Sequence, residues 1–157
     1  MPLPIATDLS QSPHIQATYP AITKQSAGII DGVLTDVTST TFSDKIMVTV
    51  TQYGRLAQWI HVPLDSPNPS FAEQYIPSSD EDGSLLPIAH LTPKTLLGGS
   101  TSERETISHL YATQIASAIL TRNPEEKRIV VVGLGLSNTE VKRDVFYDVM
   151  DLIHQVL

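Results

Sequence analysis

The chain contains no cysteine, which excludes a disulfide framework and a thiolate zinc site. Basic residues are few. Ten Lys and Arg stand against 17 Asp and Glu, for a formal net charge of -7, and the ten are scattered. A surface of that kind does not suit the phosphate backbone of a nucleic acid, so no nucleic-acid partner is expected. No apolar run approaches the ~20 residues that a helix needs to cross a bilayer, so no membrane association is expected either. The opening residues lack a charged stretch followed by an apolar one, and a secretory signal is not expected. Charged residues make up 17% and hydrophobic residues 41% of the 157, which is the balance of one globular domain with its own core. A soluble chain of the cytoplasm or nucleus is the expectation.

Motifs that carry chemistry are also scarce. There is no GxSxG nucleophile elbow. Gly133-Leu134-Gly135 follows an apolar run, but Asn138 stands where a dinucleotide fingerprint needs its third glycine, so a strand-to-helix turn is the better reading. Leu97-Gly98-Gly99-Ser100-Thr101 lacks the Lys of a phosphate loop and reads as a turn with a helix cap. No two of the five histidines share i,i+4 spacing. His61 and His90 flank a long acidic segment, and a metal or ligand site there, or at the Gly98-Gly99 turn, is the enzyme-like alternative. The acid groups Asp80-Glu81-Asp82 and Glu125-Glu126 fall in loops, where solvation is their default role. No cofactor, no metal and no enzymatic activity are expected.

What is present is a sheet. Between Ile30 and Val62, turn signals at Asp31-Gly32, Ser43-Asp44 and Tyr53-Gly54 separate short runs rich in Val, Ile, Thr and aromatics. That pattern predicts consecutive antiparallel hairpins with strands over 23–30, 33–41, 45–51 and 56–63. In the third strand Ile46, Val48 and Val50 share one face, and Met47, Thr49 and Thr51 the other. In the fourth, Leu56, Ile60 and Val62 oppose Ala57, Trp59 and His61. Both faces of such a sheet want cover. Trp59, the single tryptophan, is either a core residue or an interface anchor.

A proline-punctuated leader over 1–20 is expected to be a mobile tail ahead of one domain over 21–157. The acidic, Pro- and Ser-rich segment over 65–87 is expected to be a flexible loop within that domain. A fifth strand is expected near 90–97. A helix should follow, capped by Ser100 or Ser102 in capping-box spacing with Glu103 or Glu105, and ended by Asn123-Pro124. Its apolar face would be Ile107, Leu110, Tyr111, Ile115, Ala118 and Ile119. The continuous apolar run over 128–134 predicts a strand buried on both faces. A last helix should begin near Asn138 or Thr139, with Val141, Val145, Val149, Leu152, Ile153 and Val156 inward. This order is α+β, with the helices on one sheet face.

Four blocks carry a family resemblance. They are Gly32-Val33 through Thr41-Phe42-Ser43; Ile46 to Gly54 (IMVTVTQYG) followed by Arg55; Thr95-Leu96-Leu97-Gly98 ahead of the first helix; and the apolar strand Ile129 to Leu134 ahead of the terminal helix. In order and spacing they resemble the proteasome assembly chaperone 3 family, small eukaryotic chaperones that help build the alpha ring of the proteasome core particle. The leader and the acidic segment are longer here than in the family. The resemblance implies a six-stranded antiparallel sheet with two helices on one face. It implies pairing with a proteasome assembly chaperone 4 homologue, or self-association, and capture of alpha-type subunits, alpha-5 foremost. On this reading the face carrying Met47, Thr49 and Trp59 packs on the partner protomer. Asp80, Glu81 and Asp82 would steer a basic subunit surface. An adaptor of some other intracellular complex is the remaining alternative.

Overall fold

The computed structural model describes residues 20–65, 91–99, 101–138 and 142–157. The strands are β1 (Ile22–Ile30), β2 (Val33–Thr41), β3 (Lys45–Gln52), β4 (Gln58–Pro63), β5 (Lys94–Leu97) and β6 (Ile129–Gly135), and the helices are α1 (Ser102–Arg122) and α2 (Arg143–Val156). All six strands join one sheet in the order β1-β2-β3-β6-β4-β5. The leader before Pro20 and the acidic segment beyond Asp65, with Asp80, Glu81, Asp82 and His90, lie outside the described residues.

The first two turns do what their residues predict. Asp31 and Gly32 adopt φ of 49° and 77°, the left-handed pair of a two-residue hairpin, and Ile30 pairs directly with Val33. Phe42 N–H donates to Lys45 O at 2.9 Å to close the second turn. The third turn differs from expectation. Tyr53 and Gly54 take the same left-handed conformation, but the hairpin stops at a single bridge between Gln52 and Arg55. The chain then crosses the end of β6, and Ala57 N–H donates to Leu134 O at 2.8 Å. So β4 pairs with β6, not with β3.

That insertion makes the sheet mixed rather than wholly antiparallel. β3 and β4 run in opposite directions, so a strand between them must be parallel to one. β6 is parallel to β3 and antiparallel to β4. The helix α1 supplies the crossover that such a connection needs.

Both helices lie on one face, α2 across β1 and β2 and α1 across β4 and β6. Between them and the sheet sits the core, including Val37, Val48, Val50, Ile60, Val62, Val130, Val132, Ile115, Val149 and Ile153. The cap of α1 is Thr101, whose Oγ1 accepts from Arg104 N–H, not Ser100 or Ser102; Glu103 and Glu105 in the first turn suit the helix dipole. Its inner face runs through Tyr111, Ala112, Ile115, Ala116, Ile119 and Leu120, which leaves Leu110 exposed. The last helix starts at Arg143, later than expected. Ser137, through its N–H and its hydroxyl, donates to Gln52 Oε1 at 2.8 and 2.7 Å, and so stays tied to the end of the sheet.

Candidate functional site: the open face of the sheet

Alternate residues of each strand turn away from the helices, and register lines them into rows. One row runs Gln25, Thr38, Thr49, Gly133, Trp59, Leu97 across all six strands. Its neighbour runs Thr23, Thr40, Met47, Val131, His61, Lys94. Met47, Thr49 and Trp59 therefore do share one face, and all three are half-buried in the isolated chain.

The face has two halves. Over β1 to β3 it is threonine-rich, with Thr23 and Thr40 hydroxyls 3.2 Å apart. Over β6, β4 and β5 it is apolar, with Ile129, Val131, Trp59 and Leu97, the last 67% exposed. Leu56 belongs here rather than with Ile60 and Val62, because β4 begins only at Gln58. A Cβ added at Gly133 would meet Trp59 Cζ3 at 3.0 Å and Leu56 Cδ2 at 3.2 Å. The indole thus lies over bare backbone, which a larger residue at position 133 would lift. A Cβ at Gly135 would fall on the Arg55 carbonyl, so this glycine admits the chain crossing. Gly133 and Gly135 are strand residues, not the strand-to-helix turn that their spacing suggested; close approach of other chain segments is the reason for both.

Supports beneath the face are polar. Gln58 Nε2 donates to Arg104 O at 3.3 Å and to Ser108 Oγ at 3.5 Å, which ties β4 to α1 beside Trp59. Thr95 Oγ1 donates to Glu105 Oε1 at 3.0 Å and ties β5 to the same helix. At the other end of the sheet, Arg128 donates to both Glu126 carboxylate oxygens at 2.7 Å and to Phe42 O at 2.9 Å. The side-chain hydrogen bond from Arg128 holds the Glu126 carboxyl down at about 2. This clamp pins the start of β6 to the β2–β3 turn. Formal charge on the face itself is sparse: Lys45, Lys94 and Asp36. Lys45 bonds to Asp44 at 3.0 Å and draws that carboxyl below its ordinary range.

His61 sits between Val131 and Lys94 in the second row, and the other half of the suggested metal pair, His90, lies outside the described residues. Among the described residues no group of three or more His, Asp or Glu is arranged to hold a metal ion. None of the described helices is long and apolar enough to cross a membrane. The sequence reading missed Val131, Ile129, Leu56 and Leu97 as members of the face. The one available signal, alternation in β6, is masked because Ile129 to Val132 are all apolar.

A sheet covered by helices on one side and left with a broad, weakly charged face on the other defines a two-layer α+β protein. The same fold occurs in a chain from the crystal structure of a chaperone complex for yeast 20S proteasome assembly, at a TM-score of 0.56 and 16% identity, covering 85% of this chain and 97% of that one. The family model for proteasome assembly chaperone 3 matches residues 48–156. The proteasome assembly chaperone 3 of Nematostella vectensis is 31% identical over 118 residues, 74% of this chain and 76% of that protein. The chain belongs to the proteasome assembly chaperone 3 family.

Proposed function

We propose that this family member works without covalent chemistry, as half of a dimer that captures alpha-type proteasome subunits and promotes alpha-ring formation. The partner half is a sister chaperone of the proteasome assembly chaperone 4 kind or a second copy of this chain, and alpha-5 is the favoured client. One observation carries the reading: the apolar half of the open face, centred on Trp59 over Gly133, leaves Ile129 and Leu97 exposed with little charge around them, a surface that suits burial against a partner. Stacked against a like face it becomes the core of a β-sandwich. The threonine-rich half then supplies pairing without buried charge. The work done is templating: the dimer holds one subunit, favours its correct neighbours and disfavours others by shape and charge. It takes place in the cytoplasm or nucleus.

The test is Trp59→Asp. A carboxylate placed opposite apolar surface is costly to bury. The variant should keep its fold by circular dichroism but elute as a monomer and fail to co-purify the sister chaperone. Normal dimers of Trp59→Asp would remove this face from the interface. Asp80, Glu81 and Asp82, which lie outside the described residues, are proposed to speed encounter with a basic subunit surface. Replacing all three with Asn should slow association at low salt and flatten its salt dependence in stopped-flow mixing. An unchanged salt slope would leave them with no part in capture.

A further inference from the structure

The two edges of the sheet are finished differently. β5 carries the devices that keep an edge from pairing: it is four residues long, follows Pro93, begins at Lys94 and is bulged against β4 between Trp59 and Ile60. At the other edge β1 carries none of them. It runs nine residues with neither proline nor acid, in unbroken register with β2. Its one charge, Lys24, is turned to Leu157 O at 2.6 Å. The two-residue turn makes Ile30 and Val33 the first hydrogen-bonded pair, and such pairs alternate along an antiparallel ladder. The N–H and C=O groups of Thr23, Gln25, Ala27 and Ile29 therefore point outward, and no backbone group among the described residues bonds to them. Helix α2 stands over this edge. Leu152 Cδ2 would lie 3.2 Å from a Cβ at Gly28, and Ser26 Oγ donates to Gln155 Oε1 at 2.7 Å. Asp144, Asp148 and Asp151 are exposed and fall within about 40° of Gln155 around the helix axis. None of the three has an ion-pair partner among the described residues. The nearby cations are engaged elsewhere, Lys142 with Asp31 at 3.1 Å and Arg143 over the Tyr147 ring at 5.6 Å.

We infer that the β1 edge is a docking site for an extended, basic segment of a partner protein, which adds a strand to the sheet and sets alternate Lys or Arg side chains beside the acidic stripe of α2. The main-chain groups of β1 give affinity whatever the sequence, and the alternate side-chain positions give the choice. Charge decides between occupants. A second copy paired edge to edge would set Asp144, Asp148 and Asp151 beside their own counterparts, like charge against like. An acidic segment is refused for the same reason. A basic one meets three carboxylates that nothing else neutralises. The inference rests on the protein-binding reading of the chain but not on the face that carries Trp59. The proposed dimer, closed through that face, leaves the outward groups of β1 free for a client.

The probe is an acetylated, amidated heptapeptide of alternating lysine and valine, titrated into the isotope-labelled full chain and followed by amide resonances. Its glutamate–valine counterpart and a version N-methylated at alternate residues are the controls. The lysine peptide should give saturable shifts at the amides of Thr23, Gln25, Ala27 and Ile29 and slow their hydrogen exchange. Ser26 and Gly28, already bonded to β2, should change little in exchange. Neither the glutamate peptide nor the N-methylated one, which keeps the charge but loses the ladder, should bind. Asp144→Asn, Asp148→Asn and Asp151→Asn together should weaken the lysine peptide roughly 3-fold or more and flatten its salt dependence. Gln25→Pro removes an outward N–H that β2 does not use, so it should spare the fold and abolish binding. Should that variant melt early, the N-methylated peptide makes the same test from the other side. Trp59→Asp should bind the peptide normally, which separates failure here from failure of the sheet-face reading. Absence of saturable shifts would overturn the proposal, as would binding indifferent to the triple Asn variant. Slow exchange of the four outward amides in the free chain would overturn it too, giving the edge to this chain itself if dilution leaves it unchanged and to a second copy if dilution removes it.

Discussion

The two faces of this sheet are built from alternate residues of the same strands, yet they obey different rules. The helix side of β3, β6 and β4 carries Ile46, Val48, Val50, Val130, Val132, Ile60 and Val62, all fully or nearly fully buried. The other side of those strands carries Met47, Thr49, Thr51, Val131, Trp59 and His61, half-buried at most. β-Branched aliphatics fill a closed core with stiff, volume-filling side chains. The open face instead mixes threonine, a thioether and one large ring, a composition that tolerates water and still has apolar area to bury against another surface. A single strand pattern can thus specify a closed core on one side and leave apolar surface open on the other.

The sharpest way to test the division is a matched pair. Ile60→Ala, which hollows the covered face, should cost roughly 2–5 kcal/mol in urea unfolding. Val131→Thr on the open face should cost roughly 1 kcal/mol or less, while weakening the proposed dimer. Equal losses of monomer stability from the two would erase the distinction.

Gly135 breaks the rule from within. It sits on the open-face side of β6 but is buried by the Arg55 crossing. Gly135→Ala should therefore cost roughly 2 kcal/mol or more, as backbone must move to admit the methyl group. Gly133→Ala needs only Trp59 and Leu56 side chains to yield, so it should cost less in the same denaturation series and show chiefly in the proposed dimerisation. If Gly135→Ala unfolds like the parent chain, the crossing is looser than the packing indicates.

The Glu126–Arg128 clamp belongs to neither face and gives a pH signature. Its carboxyl is depressed in the folded chain from 4.5 to about 2. The stabilisation is therefore complete above about pH 4.5 and is lost as pH falls toward 2. Its size should be on the order of 2 kcal/mol, since the pair lies at the end of the sheet where water screens it partly. Glu126→Gln should lower stability at neutral pH and flatten the acid limb of a stability–pH profile. A variant with the parent's acid limb would show that other carboxylates carry it.

Local signals explain which parts of the fold were legible in advance. The Asp31-Gly32 hairpin, the period-2 pattern of β3 and the capped, proline-ended α1 depend on neighbouring residues, and each appears close to where its residues predict. The parallel placement of β6 depends on residues some eighty positions away from β3, and no local pattern records it. The same holds for Leu56, whose face was misread because the crossing over Gly135 delays the start of β4. Alternation puts Met47 and Thr49 on one face of β3, but Trp59 joins them only through β6, whose Gly133 pairs with both Thr49 and Trp59. Val131 was missed because a strand with apolar residues at every position gives no hint of which side stays open.

Composition and periodicity alone thus determined the class of this protein: a small α+β domain without cysteine, with six strand-forming runs and more apolar strand surface than two helices can cover. Tertiary structure decided where that surplus lies. Inserting β6 between β3 and β4 brings Val131 and Gly133 beside Met47 and Trp59. The reason is physical: alternation assigns side chains to two faces within a strand, but only the order of strands in space decides which of those faces become one surface.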